Sequence, residues 1–71
     1  MNQIVKAAID TVGTQQLLAK ACGVSQALVY FWLYNKRRVA PQHVIALSRA
    51  TNGTFSPHQI RPDLPELFPQ P

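Results

Sequence analysis

Cysteine occurs once in this 71-residue chain, tryptophan once, and acidic side chains only three times. A single thiol excludes an internal disulfide, and Cys22, in the small apolar run that ends a helical segment, reads as reduced core rather than a reactive group. There is no uninterrupted apolar stretch of about 18 residues and no charged-then-apolar leader, so neither a membrane span nor a secretory signal is expected. A cytoplasmic protein fits that pattern. Asp10, Asp63 and Glu66 are too few and too scattered to form a catalytic carboxylate pair. His43, His58 and Cys22 lack zinc-ligand spacing, and no Gly-rich phosphate loop or activated nucleophile is present. A domain of this length buries only about 60% of its unfolded surface, which leaves little room for a substrate cavity. Catalytic residues, a metal and a cofactor are therefore not expected, and the chain reads as a binding module rather than an enzyme.

Positive charge is what the sequence has in plenty. Lys6, Lys20, Lys36, Arg37, Arg38, Arg49 and Arg61 face only Asp10 within residues 1–61, a balance of +6, while Asp63 and Glu66 lie beyond. That surplus suits a polyanionic partner, although a small basic domain also arises from solvation alone.

Along the chain, Ile4, Val5, Ala8, Ile9 and Val12 form one helical stripe over residues 2–12, ended by Gly13 in a left-handed conformation. Thr14 caps a second helix that opens with Gln15 and Gln16, whose amides either attract phosphate or are simply solvated. Leu17, Leu18 and Ala21 mark the inner face of this helix. Gly23 supplies a tight turn, and Ser25 caps the next helix. On the third helix Ser25, Val29, Trp32 and Leu33 gather inward, with Leu28 at the margin. The outer side then carries Ala27, Tyr30, Phe31 and Tyr34, with Gln26 near its start, unless a register one residue off turns some of these rings inward. So small a domain cannot bury both faces of a helix, and the outer strip asks for a partner. Lys36, Arg37 and Arg38 follow at once, where they complement the helix dipole and can clamp phosphate. Pro41 opens a fourth helix with Val44, Ile45, Leu47 and Ser48 inward, and Asn52-Gly53 stop it. A short helical turn begins at Ser56-Pro57, and Pro62 ends it. The tail PDLPELFPQP holds four of the six prolines and reads as an extended arm. Its Leu64, Leu67 and Phe68 dock on the domain, dock on a second subunit, or stay disordered.

The run Leu18-Ala19, Gly23-Val24-Ser25-Gln26, Val29 and Trp32-Leu33, followed by basic residues, Val39, Pro41, Ala50-Thr51-Asn52-Gly53 and Ile60-Arg61-Pro62-Asp63-Leu64, resembles the phage Cro/CI-type helix-turn-helix proteins. It is especially similar to the YdaS-like branch, prophage-encoded DNA-binding antitoxins or Cro-like repressors. The resemblance implies an all-α, five-helix, lambda-repressor-like domain, placed here over residues 1–61, beside which the composition sets the Pro-rich extended tail over 62–71. It also implies a nucleoid-associated homodimer that binds a palindromic double-stranded operator and represses transcription. Carried onto this chain, Gln15 and Gln16 open the helix lying across the DNA backbone, Ser25 is the N-cap of the recognition helix, and Gln26, Ala27, Tyr30 and Phe31 point at the groove. Tyr30 and Tyr34 can donate to phosphate, and Lys36, Arg37 and Arg38 supply sequence-independent attraction. Two positions depart from the family pattern: polar residues usually stand where Tyr30 and Phe31 do, and Glu commonly stands where Ser48 does. A second reading makes a toxin or a host regulatory protein the main partner, gripped by the aromatic strip or the tail.

Overall fold

Hydrogen-bonding side chains set where most of the helices begin. In a computed structural model, which describes residues 1–70, five helices follow one another: α1 (Gln3–Val12), α2 (Gln15–Cys22), α3 (Gln26–Leu33), α4 (Pro41–Ala50) and α5 (Pro57–Ile60). Asn2 Oδ1 accepts from the backbone N–H groups of Ile4 and Val5 at 3.0 and 3.1 Å, and Thr14 Oγ1 accepts from Leu17 at 3.1 Å. Ser25 Oγ accepts from Leu28 at 3.1 Å. Ser56 and Gln59 form a reciprocal capping box at the start of α5. No side chain caps α4, which starts instead with Pro41 in its first turn.

Three helices end in the same way. After α2, α3 and α4 the chain turns through a residue of positive φ, Gly23 (69°), Asn35 (59°) and Asn52 (55°) respectively. The following N–H then reaches back to the last helical turn: Val24 to Ala19 O, Lys36 to Phe31 O and Gly53 to Ser48 O. These are Schellman closures, which satisfy carbonyls that a helix end otherwise leaves open. Gly13 closes α1 differently. Its φ of 118° is positive but lies outside the left-handed helical region expected from the sequence.

The core is built from Val5 and Ala8 of α1, Leu18, Ala19 and Cys22 of α2, Val29, Trp32 and Leu33 of α3, Val39, and Val44 and Leu47 of α4. Trp32 is fully buried and is the largest side chain inside. Three inward faces differ in part from the sequence expectation. On α2, Leu17 is 50% exposed and Ala21 is also exposed, and the buried stripe is Leu18, Ala19 and Cys22. Both sets have the same i, i+1, i+4 spacing, one residue apart, so periodicity alone does not choose between them. The small Ala19 and the thiol of Cys22 fill the corner against α3, and burial pushes the thiol pKa up, keeping it protonated. On α4, Ile45 faces outward while Val44, Leu47 and Ser48 are buried. Ser25 is exposed as well, because a capping hydroxyl sits at the helix end rather than in the core.

Ser48 makes no ion pair. Its hydroxyl donates to Phe55 O at 2.7 Å, and Thr51 Oγ1 donates to Ser48 O at 2.7 Å and accepts from Phe55 N–H at 3.3 Å. The buried end of α4 is thus sealed by two hydroxyls rather than by charge.

The tail is not an extended arm. Leu64 N–H donates to Arg61 O at 3.2 Å and Leu67 N–H to Leu64 O at 3.2 Å, which makes two successive β-turns with Pro62 and Pro65 at their second positions. Proline, read from sequence as a reason for extension, here fixes the φ that a turn requires. Phe68 packs on the core, and its carbonyl oxygen lies 2.9 Å from His58 Nδ1. Pro71, the last residue of the expected tail, lies outside the described residues.

One charged cluster ties this tail to the loop after α3. Arg61 donates through Nε and Nη2 to the two carboxylate oxygens of Asp63 at 2.9 and 2.8 Å, and through Nη1 to Val39 O at 2.8 Å. Arg38 Nη1 reaches Asp63 Oδ2 at 3.0 Å. The Arg61 hydrogen bonds, helped by the two positive charges, hold the Asp63 carboxyl at a pKa of about 2, below the usual carboxylate range.

Two outcomes follow for stability. Leu18→Ala removes a fully buried side chain and is expected to cost about 2–5 kcal/mol, read as a lowered urea midpoint with Trp32 fluorescence as the probe. Because the folded-state pKa of Asp63 is depressed, its contribution is complete above about pH 4 and is lost as pH falls toward about 2. Thermal melts across that interval should show the natural chain losing stability relative to Asp63→Asn.

Candidate nucleic-acid interface

The helix-turn-helix geometry rests on the corner between α2 and α3. Gly23, at φ 69° and ψ 33°, turns the chain in two residues, and a Cβ there would meet nothing within 4 Å. Space therefore does not demand glycine at this position; backbone conformation does. Since Val29, Trp32 and Leu33 are committed inward, the 100° step of the helix sends Gln26, Ala27, Tyr30 and Tyr34 out.

The structure gathers the expected site residues into two groups at opposite ends of α3. At the N-terminal end, Gln26 Nε2 lies 3.5 Å from Gln15 Oε1, so the first residues of α2 and α3 stand side by side. At that length the contact aligns the two amides without locking them. Gln16 is exposed beside Gln15, and the Ser25 hydroxyl, also exposed, accepts the cap hydrogen bond from Leu28.

Toward the C-terminal end stands an aromatic ridge. Tyr30 and Tyr34 are 44% and 48% exposed, with ring centroids 4.8 Å apart and planes inclined at 52°. Phe31 is half-buried and meets Tyr30 edge-on at 5.9 Å. The Arg37 guanidinium carbon lies 5.3 Å from the Phe31 ring centroid, within cation–π range. Backbone geometry reinforces that placement, because the N–H groups of Lys36 and Arg37 both donate to Phe31 O, at 2.8 and 3.2 Å. The Schellman closure of α3 therefore delivers the basic loop directly alongside its outer face.

The three loop cations are not equivalent. Lys36 and Arg37 carry no acidic partner among the described residues, whereas Arg38 is turned to Asp63. Its side chain remains 77% exposed in that pair, and exposed pairs of this kind are weak. Sequence reasoning did not place Arg61 and Asp63 at this loop, although their RPD signature was visible; the hydrogen bond from Arg61 to Val39 O spans 22 residues and has no local signal.

No three of His, Cys, Asp and Glu come together as metal ligands among the described residues. No described helix is long and apolar enough to cross a membrane.

Comparison with known proteins places these features in a family. The family model described as Bacterial toxin YdaS matches residues 5–67. A protein of Escherichia coli (strain K12) named "Putative transcriptional regulator YdaS" is 33% identical over 63 residues, covering 89% of this chain and 64% of that relative. The aligned part is thus less than two thirds of the relative's length. No solved structure matches the chain. A match that runs from the third residue of α1 through α5 and takes in the α2–α3 corner and the Arg61–Asp63 turn shows that the chain belongs to the YdaS family.

Proposed function

We propose that this chain is a sequence-specific, double-stranded DNA-binding transcriptional regulator, a binding protein and not an enzyme, that seats α3 in the major groove. The observation that carries this reading is the bracketing of one exposed helix face by groups suited to a polyanion. Paired amides stand at one end, and Lys36 and Arg37, which have no acidic partner among the described residues, stand at the other. The name of the Escherichia coli relative, a transcriptional regulator, supports the same class.

On this reading Gln26 makes the bidentate contact that an amide can make with adenine N6 and N7, while Gln15 holds it in line. Gln15 and Gln16, at the start of α2, lie toward the DNA backbone, and Lys36 and Arg37 neutralise phosphate on the other side of the groove. Tyr34, at the C-terminal end of α3, offers its hydroxyl to phosphate. A homodimer would place two such helices on half-sites about 34 Å apart, one turn of the duplex, and so prefer a palindromic operator. Repression would follow from occupancy of that operator in the cytoplasm, at the nucleoid.

The competing reading, favoured by the exposure of Tyr30 and Tyr34, is that this face grips a protein such as a toxin or host regulator. Salt separates the two. Phosphate binding loses about 0.9 in the slope of log K against log salt for each contact removed, whereas an aromatic protein interface is far less salt-sensitive. Replacing Lys36, Arg37 and Arg38 together by Ala is expected to weaken binding to all duplexes and flatten that slope. Gln26→Ala should instead cost about 1–3 kcal/mol of discrimination at one base pair and leave the slope unchanged. Mobility-shift titrations in which neither variant alters affinity contradict the proposal.

A further inference from the structure

We infer that the base edges read by the middle of α3 carry a C5-methyl group, so that the chain binds thymine, or 5-methylcytosine, in preference to the same bases without the methyl. This rests on the reading of α3 as the groove-facing helix and specifies what that helix recognises.

The argument starts from how little hydrogen-bonding chemistry α3 presents. From Gln26 to Leu33 the sequence is QALVYFWL, with no charged residue. The outward polar atoms are the Gln26 amide and the Tyr30 hydroxyl, while the neighbouring Ser25 Oγ already accepts from the Leu28 N–H. One amide satisfies one base pair. An eight-residue helix lying in the groove passes several, and to the others it shows the exposed Ala27 methyl and the half-buried ring of Phe31. A base-edge donor or acceptor pressed against carbon loses its water and gains no partner, which is unfavourable. The one methyl group that an unmodified base pair offers in the major groove is the C5-methyl of thymine, and 5-methylcytosine carries the same group.

Two further features favour this occupant over an apolar protein surface. The rings form a preset ridge, with Tyr30 held edge-on to Phe31 at 5.9 Å and tilted against Tyr34 at 4.8 Å, so little side-chain freedom remains to be lost on contact. Arg37 also keeps a cation 5.3 Å from the Phe31 ring centroid. An apolar partner seated on Phe31 would have to desolvate that guanidinium without compensation, whereas a methyl in the groove brings a backbone phosphate close by to meet it.

The test uses the full chain and a duplex selected from random DNA by binding. Each thymine of the selected site is replaced in turn by uracil, which removes the methyl and leaves every hydrogen-bonding group in place. Affinity is expected to fall about four-fold at each of two positions per half-site, the weight of one buried methyl, and to be unchanged elsewhere. At one of those positions 5-methylcytosine should bind more tightly than cytosine. Phe31→Ala is expected to abolish the uracil effect at one position while leaving the effect at the Ala27 position intact. Equal affinity for the thymine duplex and its fully uracil-substituted counterpart overturns the inference while leaving DNA binding by α3 standing, and needs no variant to fold. A uracil effect that Phe31→Ala leaves wholly intact, with the variant's helical circular dichroism unchanged, removes Phe31 from the methyl contact and also contradicts it. Failure of the unaltered chain to retain any duplex in a salt-dependent way overturns both the functional reading and this inference.

Discussion

The full burial of Trp32 is the constraint on which the rest of this molecule depends. An eight-residue helix has too few hydrogen bonds to persist alone in water, so α3 exists because Val29, Trp32 and Leu33 are held in the core. The indole N–H has no acceptor among the described residues, and its ring stands 5.8 Å from that of His43. An unpaired buried donor costs about 1–3 kcal/mol, set here against the burial of the largest side chain in the core. Because Trp32 must point in, Gln26, Ala27, Tyr30 and Tyr34 must point out. What the protein shows to a partner is the complement of what it needs inside.

The surplus positive charge is divided by geometry into two uses. Arg61 and Asp63 form a bidentate pair that grips Val39 O and joins the C-terminal turns to the loop following α3. Arg38 leans on the same carboxylate. Lys36 and Arg37, the two residues directly before Arg38, are placed instead by the helix closure on Phe31 O and face outward beside the rings. Charge counted along the sequence treats these residues as one run. In the folded chain, part of the run supports the structure and part of it is presented.

Much of this was legible in the sequence, for reasons that can be named. Thr14 and Ser25 cap the helices they precede, Ser56-Pro57 begin α5, Gly23 turns between α2 and α3, and Pro41 opens α4, because each is a local decision made within a few residues. The outer strip of α3 was legible too, since Trp32 and Val29 leave little choice of register; only Phe31 sits deeper than the strip suggested. The inward faces of α2 and α4 were each misplaced in part. Leu17 and Ile45 are as apolar as the residues buried beside them, and only tertiary packing against small Ala19 and polar Ser48 decides between neighbouring stripes. The tail was misread because proline is compatible with both extension and turns. Whether Leu64 and Leu67 can close β-turns depends on Arg61 and Phe68 finding distant partners at Val39 and His58.

The chain belongs to the YdaS family, and the central proposal made for it is that duplex DNA is bound by the outer side of α3 and the loop behind it. The most direct measurement is a titration of the isotope-labelled chain with its selected duplex, followed by amide chemical shifts residue by residue. Docking on this face requires the largest shifts at Gln15, Gln16, Gln26, Ala27, Tyr30, Lys36 and Arg37, with Ile45, Asn52 and Leu67 nearly unmoved. Shifts concentrated at Ile45 and Leu67, with Gln26 through Arg37 unchanged, would contradict it.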